Sequence, residues 1–369
     1  MSEESSESRH YRGTMHRNAQ ELVEWHSKSQ PVDVLDPVLP IVDAHHHLFG
    51  GDRDPLFYRV DDLQKDLSSG HKIIGTVYCE AYESGWRETG PVPLRPVGEV
   101  EHIVDVTQSP VSTPQGPCDV AAGIVSFADM MLGNEVIPVL EAELSAGQNR
   151  LRGVRHRTAT DDGTVGSFIK DRPRPHLLLE KKFRQGVAQV GRFGMSFDAW
   201  IYHTQLEEFR ALADALPDVP LVLNHLGGPI GVAEFRSKRT EVLQYWDNQL
   251  KELAIRPNVF IKVGGMGMPV FGFGFEHEDN PPSSETLARA WKPLIDLCIE
   301  RFGTERCMFE SNAPVDLQSC SYTELWNALK LCTKDLSSKE RNDLFYRTAC
   351  RVYRLPKLEK KGDALAPIE

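Results

Sequence analysis

From residue 40 onward, short apolar runs alternate with longer amphipathic stretches. Eight of the runs read as strands: 40–47 (PIVDAHHH), 72–80, 120–128, 151–157, 194–202, 220–227, 258–265 and 306–311. Most are rich in β-branched or aromatic residues and bounded by Gly, Pro, Asn or Asp, as strands buried on both faces of a parallel sheet are. Helical spacing fills most of the gaps, at 132–146, 179–192, 206–216, 233–255, 284–302 and 322–334. Eight such alternations predict an α/β fold, a distorted (β/α)8 TIM barrel with long βα loops, in preference to an open doubly wound sheet. No GxGxxG follows the first strand, which counts against dinucleotide binding.

The pattern divides the chain into an N-terminal extension (1–39), the barrel (40–355) and a C-terminal tail (356–369). Within the extension, a low-order acidic tail precedes a short helix from about Asn18 to Ser27 and a proline-containing linker. Two βα connections are long: 81–119, with Pro91, Pro93 and Pro96 and a Ser/Pro/Gly-rich stretch, and 266–284. Both leave the C-terminal ends of their strands, where loops build lids and pockets. A contact between copies of the chain is the alternative use of one of them. Met266, Met268, Phe271, Phe273 and Phe275 form either a flexible apolar lid or plain core over the barrel end.

Chemistry concentrates at the predicted strand ends. In Asp43-Ala44-His45-His46-His47, alternation sends His45 and His47 to one face and His46 to the other. His225 ends the sixth predicted strand, and with the first two it makes a three-nitrogen set of the kind that binds catalytic zinc. On the eighth, Glu310 and Asn312 share a face; Asn312 can orient water or a carbonyl, while Glu310 is either a working carboxylate or the partner of a buried cation such as Arg155 or Lys262. The fourth strand leaves two arrangements open, because either Arg152 and His156 or Arg155 and Arg157 face inward. An inward Arg suits an anionic substrate, or else neutralises Glu80, Asp198 or Glu310. Tyr78, Trp200 and Tyr202 are candidate pocket walls, with His203 just beyond, and Glu80 and Asp198 are candidate bases.

Composition narrows the class. A chain of 369 residues suits one barrel with added loops. Seven cysteines without a CxxC pair point to reduced thiols and a cytoplasmic setting. A net charge of −11 disfavours nucleic acid and acidic membranes as partners, the N-terminus shows no apolar core of the length a secretory signal needs, and no apolar run approaches a membrane span. A small-molecule substrate is the expected partner.

Taken together, DAHHHL, LRGVRH, SFDAWIYHTQL, VLNHLGGP and MFESNAPVD resemble the amidohydrolase-related branch of the amidohydrolase superfamily, which includes lactonases of sugar acids and of pyrone dicarboxylate. The resemblance runs from about Ile41 to Leu355. It implies hydrolysis of a lactone or related cyclic ester, with water attacking a carbonyl held among His45 and His47 (the HxH pair), His225 and an eighth-strand acid. It also implies a divalent metal, Zn2+ first, held by His45, His47 and His225, although the branch includes lactonases that look able to work without one. The family's acid follows Ser in Ser-Asp-x-Pro, but here the run is Ser311-Asn312-Ala313-Pro314. The base must then lie elsewhere, with Glu310, Asp316, Glu80 and Asp198 as candidates. A sister branch cleaves carbon–carbon bonds, so a metal-dependent decarboxylase of an aromatic acid is one alternative; a barrel that binds ligand without turnover is another.

Overall fold

The computed structural model describes residues 11–50, 56–81 and 85–366. The expected acidic tail falls largely on residues 1–10, outside that range. Eight strands form a parallel ring: β1 (Pro40–His46), β2 (Lys72–Cys79), β4 (Gly116–Phe127), β5 (Leu151–Arg155), β6 (Ser196–Ala199), β7 (Leu221–Leu223), β8 (Val259–Val263) and β9 (Cys307–Phe309), each bonded to the next. A short β3 (Val111–Thr113) pairs antiparallel with the start of β4. Past the end of β9 the ring closes on β1, where Asn312 N donates to His45 O at 2.9 Å and His47 N donates to Ala313 O at 2.8 Å. This is the α/β barrel that the alternating pattern predicts.

The predicted strands are present but several are shorter. The 194–202 and 220–227 runs keep only Ser196–Ala199 and Leu221–Leu223 as strand, because the chain then turns through His203–Gln205 and His225–Gly227. Six predicted helices appear as Ile137–Ala146, Lys181–Arg192, Leu206–Ala215, Arg239–Ala254, Ser284–Phe302 and Tyr322–Cys332. Helices not foreseen include Val60–Leu67 and, inside the first long loop, Val97–Val106, which buries Val97, Val100, Ile103 and Val104. Asn18 caps the N-terminal helix Ala19–His26 through Glu21, a reciprocal capping box.

The end of the barrel opposite the mouth is plugged. Inward-facing Val42, Ala44, Val77, Val125, Val222 and Met308 pack against Tyr346, Ala349, Cys350, Tyr353, Leu355 and Leu358 from the C-terminal segment. Above this apolar plug sits a buried ion pair, Lys262 Nζ to Asp198 Oδ2 at 3.0 Å, neither side chain exposed. Asp198 also accepts from Asn224 Nδ2 at 3.0 Å and from the Tyr353 hydroxyl at 2.8 Å. Burial pulls the Lys262 ammonium toward losing its proton, but Asp198, Cys79 and Glu310 more than offset this and its pKa rises.

Two outcomes follow. Lys262→Met leaves the Asp198 carboxylate buried without its cation and is expected to cost about 3–5 kcal/mol in denaturant unfolding; adding Asp198→Asn should recover at least half, and a single-variant cost under about 1 kcal/mol contradicts the pairing. Glu143, on Ile137–Ala146, is fully buried; one oxygen accepts from Ser126 Oγ at 2.6 Å and the other has no partner, and burial pushes its pKa up to about 8. The folded chain thus holds a proton that the unfolded chain has already released, so the contribution is full at acidic pH and is lost as pH climbs toward about 8. The melting-temperature gain of Glu143→Gln over the parent should therefore be larger at about pH 8 than at about pH 5, and a pH-independent difference contradicts it.

Candidate active site

The site gathers where the ring closes. β1 loses its regular register between Asp43 and His46, so Ala44 and His45 both turn toward the axis while His46 faces outward onto Thr76 and Tyr78. Asp43 pins this kink: it accepts from Ser311 N at 2.8 Å, Ser311 Oγ at 2.5 Å and the Tyr322 hydroxyl at 3.1 Å. His47 follows His45 on the inner side, and their Nε2 atoms are 3.1 Å apart. The Nδ1 of His47 has the carbonyls of Cys79 and Glu80 at 3.0 and 3.1 Å. Only a donor suits that position, so Nδ1 carries the proton and Nε2 offers its lone pair toward His45.

His225 lies two residues beyond β7 rather than on it. His225, Leu226, Gly227 and Gly228 all have positive φ (51°, 54°, 71° and 53°), a left-handed coil that turns the imidazole across the mouth. Gly265 makes room for it, since a Cβ there would fall 2.6 Å from the His225 ring nitrogen Nδ1. Glu310, one residue past β9, reaches between the imidazoles: Oε1 is 2.7 Å from His225 Nδ1 and Oε2 is 3.1 Å from His45 Nδ1. Gly264 must be small for the same reason, because a Cβ at that position would lie 2.3 Å from Glu310 Cγ.

Arg155 settles the question left open for the fourth predicted strand. It points inward, with Nε 2.7 Å from Glu80 Oε1, NH2 2.9 Å from the Glu80 carbonyl and NH1 3.4 Å from His45 Nε2. Strand alternation then turns Arg152 and His156 outward, and the expectation that they bind substrate at the mouth is corrected. Arg152 NH1 bonds the Leu151 carbonyl, and His156 accepts from Met130 N between the rings of Phe127 and Phe183, in the layer between strands and helices. Tyr78 also leaves the expected site, its hydroxyl donating to Glu99 Oε1 at 2.8 Å on the outer side of β2. Tyr202 stays at the mouth, edge-on to Trp200 at 5.3 Å, and Trp200 packs against His225 at 4.8 Å.

Asn312 is at the seam, with its backbone bonded to His45. Its Nδ2 donates to Asp316 Oδ1 at 2.7 Å, and its Oδ1 is buried without a partner. Met266, Met268 and Phe271 are buried over this end, while Phe273 and Phe275 stack at its edge. The N-terminal extension lies across the loops: Arg17 NH1 donates to the Gln318 carbonyl, and Trp25 Nε1 donates to the Glu278 carbonyl at 2.9 Å. Its bridging role had no signal in the sequence. The Lys262–Asp198 floor was also missed as a pair, although a Lys in an apolar strand run is itself a signal that a buried anion is near.

The ionisable groups at the mouth are buried. His45, His47 and His225 are held well below the ordinary imidazole value, chiefly by burial and then by the Lys262 and Arg155 charges, so all three are neutral. Burial pushes Glu310 up to about 8, with Lys262 opposing. His45, His225 and Glu310 offer one ligand atom each, all within 4.8 Å of one another, and Glu310 Oε2 makes no hydrogen bond. Neutral imidazoles, a carboxylate with a spare oxygen and a second-sphere carbonyl on His47 are a donor set that fits a divalent ion. The grouping brings in Glu310 beside the expected His45 and His225, with His47 adjoining.

The amidohydrolase family model matches residues 42–355. A protein of Sinorhizobium fredii designated y4mH is 27% identical over 332 residues, covering 86% of this chain and 99% of its own. The L-fucono-1,5-lactonase of Burkholderia multivorans is 31% identical over 209 residues, or 56% of this chain and 64% of that enzyme. In structure, an amidohydrolase of Burkholderia multivorans with bound zinc has a TM-score of 0.64 and 23% identity, over 85% of this chain and 99% of that one. Among the described residues, no helix is long and apolar enough to cross a membrane. With its barrel, its mouth and a match over most of its length, this chain belongs to the amidohydrolase family.

Proposed function

We propose that the chain is a hydrolase that opens a lactone or related cyclic ester of a small organic acid. The observation that carries this reading is Glu310, a buried carboxylate between His45 and His225 with one oxygen free of hydrogen bonds. The partial match to a sugar-acid lactonase supports the same substrate class.

In this reading the substrate's ring carbonyl faces the imidazoles, beneath Trp200 and Tyr202. Glu310 takes a proton from the attacking water. A carboxyl whose pKa is raised by burial to about 8 is a stronger base than an exposed one once ionised. The water oxygen bonds to the carbonyl carbon, the ring C–O bond breaks, and the proton passes from Glu310 to the leaving alkoxide. Arg155, anchored on Glu80 with NH1 turned toward His45, stabilises the oxygen charge that develops or holds a substrate carboxylate. The unpartnered Oδ1 of Asn312 would accept from the water. A divalent ion, zinc by preference, would be held by His45, His225 and Glu310 with His47 beside them, and would supply Lewis acidity and a lowered water pKa.

A panel of sugar-acid and dicarboxylate lactones, followed by acid release, tests the reaction. At least one should be hydrolysed, and His45→Ala should abolish that turnover with the circular dichroism spectrum unchanged. Glu310→Gln should lower turnover by about 10²-fold or more. Full activity in either variant, or no hydrolysis of any lactone by metal-supplemented protein, contradicts the assignment. Elemental analysis is expected to find about one zinc per chain and a loss of most of it in His225→Ala; equal metal content in parent and variant contradicts the ligand set.

A further inference from the structure

A second concentration of charge lies far from the mouth, at the plugged end of the barrel. A cavity of about 890 Å3 is lined there by Val104 and Thr107, the starts of β4 and β5, and the turn into the helix Pro356–Leu365. Its wall carries four cations, Arg150, Arg152, Arg354 and Lys357, and one carboxylate, Asp119. Asp119 has its own cation in Lys361 at 3.7 Å. Among the described residues, none of the four wall cations is in an ion pair, although the chain as a whole has a net charge of −11.

Their hydrogen bonds fix these groups without neutralising them. Arg150 donates to the Val104 carbonyl at 2.9 Å and to Thr107 Oγ1 at 2.8 Å. Arg152 NH1 donates to the Leu151 carbonyl, and Arg354 NH2 donates to the Arg152 carbonyl at 3.3 Å. The Nε of Arg152 is buried with no partner. Arg354 is in a left-handed backbone conformation (φ 50°), as are Gln148 (46°) and Asn149 (65°) on the same wall; asparagine adopts it readily, arginine and glutamine uncommonly. Arg150 and Arg152 are half-buried and Arg354 and Lys357 are exposed, so the set is open to an anion that would offset its like charges.

We infer that this cavity binds a multivalent oxyanion, the phosphate or polycarboxylate group of a small metabolite, at the end of the barrel opposite the catalytic mouth. Its volume lies within the range of small-molecule pockets, roughly 300–1,000 Å3. Guanidinium forks match the oxygens of both anion types. The occupant would touch elements that also serve the mouth. Arg152 lies on the strand that carries Arg155, and Arg354 follows Tyr353, whose hydroxyl supports Asp198 beneath Lys262.

Calorimetric titration of the full chain with inorganic phosphate, pyrophosphate and citrate tests the site. At least one should bind with a Kd of about 1 mM or tighter; heat from phosphate or pyrophosphate alone assigns a phosphoryl group, and heat from citrate alone a polycarboxylate. Arg152→Gln/Arg354→Gln should weaken that binding at least tenfold. Lys357→Gln, an exposed change that does not threaten folding, should weaken it severalfold. No heat with any of the three at about 10 mM overturns the site. Unchanged affinity in both variants also overturns it, because the anion is then held elsewhere.

Discussion

Everything at the mouth depends on how charge is buried along the barrel axis. A closed parallel ring excludes water, so each ionised group inside must have a counter-charge or a dense set of hydrogen bonds. Arg155 with Glu80 and Lys262 with Asp198 meet that demand in pairs. Glu310 does not: its neighbours are two neutral imidazoles, with Lys262 helping from below. The role proposed for Glu310 rests on that imbalance, since a carboxylate satisfied by a guanidinium fork would have no oxygen left for water or metal.

The geometry of the chain enforces the imbalance. A kink in β1 held by Asp43, a left-handed coil at His225 and two glycines, Gly264 and Gly265, bring three separate segments to one point. The apolar plug from the C-terminal segment fixes the floor from the other side through Tyr353. Asp43, the two glycines and Tyr353 are positioning devices, and none of them needs to touch a substrate.

The barrel was legible in the sequence because hydrophobic runs and helical spacing alternate over nearly the whole chain. The HxH pair was legible as two histidines on one face, although the register shift between Asp43 and His46, which carries Ala44 inward beside His45, was not. His225 was located correctly in the chain but not in conformation, as positive φ at a non-glycine leaves no compositional trace. Arg152 and His156 could not be told from Arg155, because both faces of that strand carry cations and only the neighbouring Glu80 decides which turns inward. Val97–Val106 hid among prolines, and the plug hid because the C-terminal residues from Tyr346 to Leu358 pack against the end of the ring rather than around it.

Position 312 tests the account most directly. Where the Ser-Asp-x-Pro pattern implied by the resemblance would put an acid, this chain has Asn312, and its Nδ2 donates to the buried Asp316 carboxylate at 2.7 Å. An aspartate there would set two carboxylates face to face, while in the proposed reading Glu310 supplies the acid from two residues away. The decisive measurement is lactone turnover by Asn312→Asp with its melting temperature. The account predicts lower stability and no gain in turnover; a gain of tenfold or more, at unchanged stability, would contradict it.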